Sequence, residues 1–226
     1  MKRRLETELL DHLPADDPAA MASRRDLDRI NLVMRQPAIM AATLCGFPPP
    51  RLLLDLGGGD GRFLLRVARQ LPEWRGVTAV IADRQAFLDD ATRAAFTALG
   101  WRCELRQGDI FDVLQALEDG ALLMANLFLH HLDDAALGRL FAAAAARAAG
   151  LVACEPHRGR WSLAGSHMVM ALGANAVTRH DAVASVRAGF RDGELSALWP
   201  QSPGWALQES RALPFSHLFV ARRHGI

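Results

Sequence analysis

Four glycines between residues 57 and 61, reached directly from the apolar run Leu52-Leu53-Leu54-Asp55-Leu56, are the strongest chemical signal in the chain. Glycine lacks Cβ and adopts positive φ without strain, so Gly57-Gly58-Gly59-Asp60-Gly61 lets backbone N–H groups approach a ligand closely. The helical pattern that follows adds the positive end of a helix dipole, and a nucleotide-like ligand is implied. The dinucleotide fingerprint GxGxxG is not met, because it needs glycine at 62 or 64, where Arg62 and Leu64 stand. A phosphate-binding P-loop is excluded, since no lysine follows the glycines. Asp55, at the carboxyl end of the run, would repel a pyrophosphate and suits a cationic ligand instead.

A second acid, Asp83, ends the apolar run Ala79-Val80-Ile81-Ala82, 24 residues beyond Gly59. A carboxylate there can accept both hydroxyl protons of a ribose or cap a following helix. A third, in Gly108-Asp109-Ile110-Phe111, reads on its own as a turn. The stretch Met124-Ala125-Asn126-Leu127-Phe128-Leu129-His130-His131 ends a further apolar run. Ligands of an open parallel sheet sit beyond the carboxyl ends of its strands, so this segment should wall the reacting centre. Histidine titrates near neutrality and suits removal of a phenol or carboxylic acid proton; a pair such as His130 and His131 also commonly packs or caps a helix. His180 is a third candidate base, and in Thr178-Arg179-His180-Asp181 Arg179 can hold an anionic group beside that histidine and a carboxylate. The plain alternative is a helix start capped by Thr178.

At these residues the chain resembles the class I S-adenosylmethionine-dependent methyltransferases, whose first motif, an acid followed by GxGxG, is matched by Asp55, Gly57, Gly59 and Gly61. The resemblance implies S-adenosyl-L-methionine as cofactor, with Gly57 and Gly59 passing its amino-acid part and Asp55 holding its ammonium group. It gives Asp83 the ribose and Asp109 the adenine amino group, with Ile110 or Phe111 on the ring. Asn126 becomes a cofactor-side residue, and His130 or His131 lies near the methyl acceptor. Base-modifying relatives would need [DN]PP[YFW] where Asn126-Leu127-Phe128-Leu129 stands, and a Pro-Cys nucleophile is absent, so nucleic-acid methylation is disfavoured. The strings Arg29-Ile30-Asn31, His130-His131, Ala153-Cys154-Glu155-Pro156 and Asn175 to Asp181 are similar to a bacterial methyltransferase group encoded beside type III polyketide synthases. That similarity implies secondary metabolism and O-methylation of a phenolic or quinone-type acceptor. An N-terminal helix with Arg29 and Asn31 would fold over the cofactor, and residues 157–190 would complete the pocket. Methylation of a quinone or polyketide ring carbon would use the same cofactor residues, as would a non-catalytic cofactor-binding protein of this fold.

These residues need a scaffold, and from Arg51 onward apolar runs alternate with helical patterns, the signature of an α/β, Rossmann-like, doubly wound and mostly parallel sheet. Strands are expected over 52–56, 77–83, 102–107, 121–126 and 150–155. Helices are expected near 61–70, 85–99, 112–116 and 133–149, then over 162–173 and 180–188. Alternation over 205–213 and 217–222, joined by Pro214-Phe215, predicts a closing antiparallel hairpin. Before the sheet, residues 11–18 read as a turn-rich break, and Ser23 as the N-cap of a helix carrying Leu27, Ile30, Val33 and Met34. Phe47-Pro48-Pro49-Pro50 ends that region, so residues 1–50 form a helical lid on a single unit of residues 51–226.

The chain's 226 residues, 50% hydrophobic and 23% charged, suffice for one core and exclude a disordered or fibrous protein. No apolar run approaches the length of a membrane span, and acids follow Met1-Lys2-Arg3-Arg4, so neither membrane nor export is expected. Cys45, Cys103 and Cys154 are scattered and form no CxxC, which predicts no disulfide framework, no metal site and a cytoplasmic location. A net charge of +1 without a basic run longer than three residues lacks the footprint of a nucleic-acid binder. Residues 157–226 carry eight basic and four acidic side chains, compatible with an anionic small-molecule acceptor.

Overall fold

Apolar side chains on both faces of the strands at 52–56, 78–83, 122–126 and 150–156 force them into the middle of a covered sheet, while the polar strand at 102–107 takes its edge. The computed structural model, which describes all residues except 15–16, 117, 169–172 and 226, has this arrangement. Strands β1 (Leu52–Leu56), β2 (Thr78–Asp83), β3 (Arg102–Gln107), β4 (Leu122–Asn126) and β5 (Gly150–Pro156) pair in parallel. β6 (Trp205–Ala212) and β7 (Ser216–Arg223) form the hairpin, and β7 lies antiparallel to β5. The seven-stranded order is β3-β2-β1-β4-β5-β7-β6, so the chain reverses direction across β1 and β4 and opens a crevice at their carboxyl ends.

Helices cover both faces. On one side α2 (Gln36–Leu44), α3 (Arg62–Ala68) and α4 (Asp90–Ala98) bury Met40, Leu44, Leu64, Val67 and Phe96 against the sheet. On the other, α5 (Ile110–Gln115), α6 (Asp134–Arg147) and α9 (Glu194–Leu198) bury Leu114, Leu137, Leu140, Phe141 and Leu195. The alanine-rich part of α6 lets the helix lie close to the sheet, with Ala144 fully buried and Asp133 Oδ1 capping its start at Ala136 N. Among the described residues, no helix is long and apolar enough to cross a membrane.

Three helix starts differ from the sequence expectation by four or five residues, each for a capping reason. α1 (Pro18–Val33) begins five residues before Ser23, because Asp17 accepts from Ala19 N and Ala20 N and proline occupies the first helical position. Ser23 is buried inside the helix. α4 starts at Asp90 rather than near Gln85: Asp89 accepts from Thr92 N, whereas Asp83 closes a local turn with Gln85 N. α8 (Ala176–Ala188) is capped by Asn175, which accepts from Thr178 N, so Thr178 is not the cap. The helix expected over 162–173 is described as α7 (Arg160–Met168); residues 169–172 lie outside the described residues, as do 15–16 of the turn-rich break.

The N-terminal region and the insertion between β5 and β6 dock on one another above the carboxyl edge. Thr178 Oγ1 lies 2.9 Å from Ser23 Oγ and 3.2 Å from Asp26 Oδ2, and Asn175 N donates to the same Asp26 oxygen at 3.0 Å. Before α1, an extended segment runs across α8: Leu9 N and Leu10 N donate to Asp181, and Arg3 donates to the carbonyls of Ala188, His130 and Leu132. α2, by contrast, belongs to the core, since Met40 and Leu44 are fully buried.

Candidate functional site

The turn between β1 and α3 is built on glycine for two different reasons. Gly57, Gly59 and Gly61 all have positive φ. A Cβ on Gly57 would meet the Phe128 ring at 2.2 Å, so this position is closed from behind; one on Gly59 would meet nothing within 4 Å, so that position faces open space. Asp55 lies beneath the turn, 1% exposed, and its Oδ2 has no hydrogen-bond partner. Burial, reinforced by the nearby negative charge of Asp83, pushes its carboxyl up to about 8. An orphaned buried carboxylate is expensive, and a cationic ligand group is its natural complement. The turn therefore fits a ligand that brings an ammonium group.

Asp83 bridges the glycine turn and the β2 exit: Oδ2 accepts from Gly59 N at 3.1 Å and Oδ1 from Gln85 N at 2.7 Å. Both oxygens retain a lone pair for further donors. If Asp83 holds a ribose as well as the turn, Asp83→Ala weakens cofactor binding by about 10–100-fold, the loss of charge-assisted hydrogen bonds, while turnover at saturating cofactor changes less. Calorimetric titration and saturation kinetics check this expectation, and unchanged affinity would contradict it. Asp109 caps α5, with Oδ1 on Phe111 N at 2.9 Å and Oδ2 3.2 Å from Arg84 Nη2. The Phe111 N–H, and then Arg84, hold its carboxyl below the usual range. Ile110 is buried next to it.

At the β4 exit, Leu127 stands at φ +51, an arrangement that costs a leucine about 1–3 kcal/mol. The kink lays Phe128 over Gly57 and starts a short 3₁₀ turn, Leu129–His131. Glu155, fully buried at the end of β5, anchors that turn: Oε1 accepts from Phe128 N and Leu129 N, and Oε2 lies 2.7 Å from His130 Nδ1. The other His130 nitrogen is 3.3 Å from Glu8 Oε1. Burial alone would lower this imidazole's pKa, but the hydrogen bonds and charges of Glu155 and Glu8 raise it to about 9. Burial alone would raise the Glu8 carboxyl, yet His130, with help from His131 and the Ser185 hydroxyl, holds it at about 2. His130 thus carries its proton at neutral pH. His131 is more open, with its side chain 27% exposed, Nε2 4.0 Å from Glu8 Oε2 and its ring 6.4 Å from that of Phe128.

The other residues singled out by sequence divide. Asn126 stands at the tip of β4 with Oδ1 buried and unpartnered, and Asn31, on α1, has the same feature. Arg29 has a 70% exposed side chain with Asp26 3.4 Å away, and Arg179 is exposed. His180 does not join the His130 pair: its side chain is 48% exposed and Nδ1 lies 2.9 Å from Asp181 Oδ1. Asp181 is occupied in holding Leu9 and Leu10. Sequence reasoning gave no role to Glu8, Gln36, Glu155 or Ser162. Gln36, fully buried, joins Asn126 Nδ2 to Ser216 Oγ at 3.4 and 3.2 Å. Beside them the rings of His157 and His217 stack at 6.0 Å; their Nδ1 atoms and Ser162 Oγ are buried without partners. Glu155 had a legible signal, an acid closing an apolar strand as Asp55 and Asp83 do.

Solved structures similar to this chain include the plantazolicin methyltransferase BpumL in complex with SAH, at 11% identity over 92% of each chain with a TM-score of 0.66. An O-methyltransferase family protein from Burkholderia thailandensis matches at 20% identity over 95% of this chain and 66% of that one, TM-score 0.55. The pyocyanin biosynthetic protein PhzM matches at 20% identity over 96% of this chain and 62% of that one, TM-score 0.55. No protein-family model and no curated protein sequence matches the chain. The chain shares the fold of these methyltransferase structures, the doubly wound and mostly parallel sheet that the sequence led to expect.

Proposed function

We propose that this protein is an S-adenosylmethionine-dependent methyltransferase acting on a small molecule, and that it O-methylates a phenolic, polyketide-type acceptor. The observation that carries the reading is the orphaned Asp55 Oδ2 beneath a glycine turn whose Gly59 faces open space. Bound there, the cofactor supplies an electrophilic methyl group for in-line displacement, and holding donor and acceptor in contact provides most of the acceleration. Asp55 takes the ammonium group, Gly59 lets the chain pass close while Gly57 makes room for Phe128 behind the turn, Asp83 takes the ribose hydroxyls, and Ile110 with Asp109 borders the adenine. Asn126 and the buried Asn31 offer unpartnered oxygens toward cofactor and acceptor. That the similar structures include a methyltransferase crystallised with SAH and an O-methyltransferase family protein supports the same assignment.

A phenol must lose its proton as the methyl group arrives. His131 is the group available to take it, with Glu8 stabilising the imidazolium, while His130 acts as a positioning residue that holds Glu8 in place. Arg29, Arg179 and His180, exposed on the two docked helices, form the rim available to an anionic acceptor group. The N-terminal segment and α1 act as the lid.

Mass spectrometry with isotopically labelled cofactor across phenols, quinones and carboxylic acids tests this reading. The expected outcome is one labelled methyl on oxygen. A label on ring carbon would contradict the O-methyl assignment, and tighter binding of NAD(P)H than of S-adenosylmethionine would contradict the whole.

A further inference from the structure

The geometry points to a zinc site formed by Glu8, His130 and His131 at the acceptor edge of the crevice. One ligand atom from each residue can be chosen so that all lie within 4.8 Å of one another. His130 Nε2 is 3.3 Å from Glu8 Oε1, and His131 Nε2 is 4.0 Å from Glu8 Oε2. Around tetrahedral zinc, with bonds of about 2.0–2.1 Å, ligand atoms stand roughly 3.3 Å apart, so shifts of about 1 Å bring the three into place.

An independent observation comes from behind the cluster. Glu155 Oε2, fully buried, lies 2.7 Å from His130 Nδ1, and Glu155 is itself fixed by the N–H groups of Phe128 and Leu129. A carboxylate on one ring nitrogen keeps the proton there and orients the ring, so that zinc, on displacing the proton that the other nitrogen shares with Glu8, meets a lone pair pointing forward; this is the support that metal-ligating histidines characteristically have. Here the forward nitrogen points at a carboxylate and a second imidazole. Ser185 hydrogen-bonds Glu8 from the side, completing the outer support.

The donor set narrows the metal. Two imidazoles and one carboxylate suit zinc and, as a facial triad, iron(II), whereas magnesium and calcium prefer oxygen donors alone; zinc, which needs no redox partner, is the ion proposed. The two carboxylates supply the charge that a divalent cation balances. Three protein ligands leave the fourth position open, the arrangement of a catalytic rather than a structural site, and an acceptor oxygen bound there would be acidified. The site is a property of the apo chain and does not depend on the methyl-transfer reading.

The test uses untagged full-length protein stripped with a chelator, titrated with zinc chloride by calorimetry and analysed for metal after dialysis. One zinc per chain is expected, with affinity lowered roughly 100-fold by Glu8→Ala or His131→Ala and about 10–100-fold by Glu155→Gln. Circular dichroism establishes that each variant is folded. Cobalt in place of zinc should give the visible absorption of a four-coordinate centre in the wild type and lose it in His131→Ala. No stoichiometric zinc, or zinc retained equally by the Glu8→Ala and His131→Ala variants, would overturn the proposal. SAH affinity, measured on the same samples, separates failure of the zinc site from failure of the cofactor assignment.

Discussion

Replacing His131 by alanine lowers turnover by about 10²–10⁴-fold and leaves cofactor affinity within about a factor of two. Two adjacent histidines stand in unequal settings. His130 is 2% exposed between Glu155 and Glu8, and its pKa of about 9 keeps it protonated at neutral pH, so it has no capacity to accept the acceptor's proton. His131 is more open and lies beside Phe128, which in turn covers Gly57, so it stands close to the glycine turn. On the proposed reading, its loss as a base or as a zinc ligand removes the means of deprotonating the acceptor, while Asp55 and Asp83 are untouched. His130→Ala has a different signature: it strands two carboxylates, and unpairing a buried charge costs about 3–5 kcal/mol of stability. Steady-state kinetics and thermal melts on the two variants distinguish these outcomes, and wild-type turnover in His131→Ala would remove it from the mechanism.

Asp55→Asn stabilises the unliganded protein and weakens cofactor binding by about 10–100-fold. An acid raised from 3.8 to about 8 by burial and by Asp83 favours its neutral form in the folded chain. Its contribution to stability is therefore greatest below the unfolded pKa, declines as pH rises through the interval from 4 to 8, and is level above it. At pH 7 the cost of retaining that proton is about 4 kcal/mol, at 1.36 kcal/mol per pH increment above the ordinary value. Asparagine removes the titration, and recovery of even half raises the melting temperature by about 4–8 °C for a chain of this size. A cationic ligand draws the carboxyl toward its ionised form, so cofactor binding to the wild type releases protons below pH 8 and strengthens as pH rises from 6 to 8. Calorimetry in buffers of different ionisation enthalpy reads the proton release, which vanishes in Asp55→Asn. A melting temperature that falls, with affinity and proton release preserved, would contradict this role.

β1, β2, β4 and β5 were legible because each is buried on both faces and so appears as a nearly unbroken apolar run, and each begins or ends within one residue of the expected limits; β3 and β6, at the sheet edges, are polar and largely exposed. The acids at the tips of β1 and β2 stood out for the same reason, as charges closing apolar runs. Helix starts were less legible, because Asp17, Asp89 and Asn175 compete with equally good nearby caps, and only tertiary burial of Ser23 and Thr178 decides between them. The acceptor side was legible only in its histidines. Glu8 meets His130 across 122 positions of sequence, and Gln36 reaches Ser216 across 180; no local periodicity encodes such contacts. The expectation of no metal rested on cysteine spacing, which says nothing about a cluster assembled from two helix-entry histidines and a distant glutamate.

A crystal structure of the protein with SAH tests the central claim most directly. The account predicts the homocysteine amino group against Asp55, the chain passing over Gly59 and the ribose hydroxyls on Asp83. SAH bound elsewhere, or excluded from this crevice at saturating concentration, would contradict it.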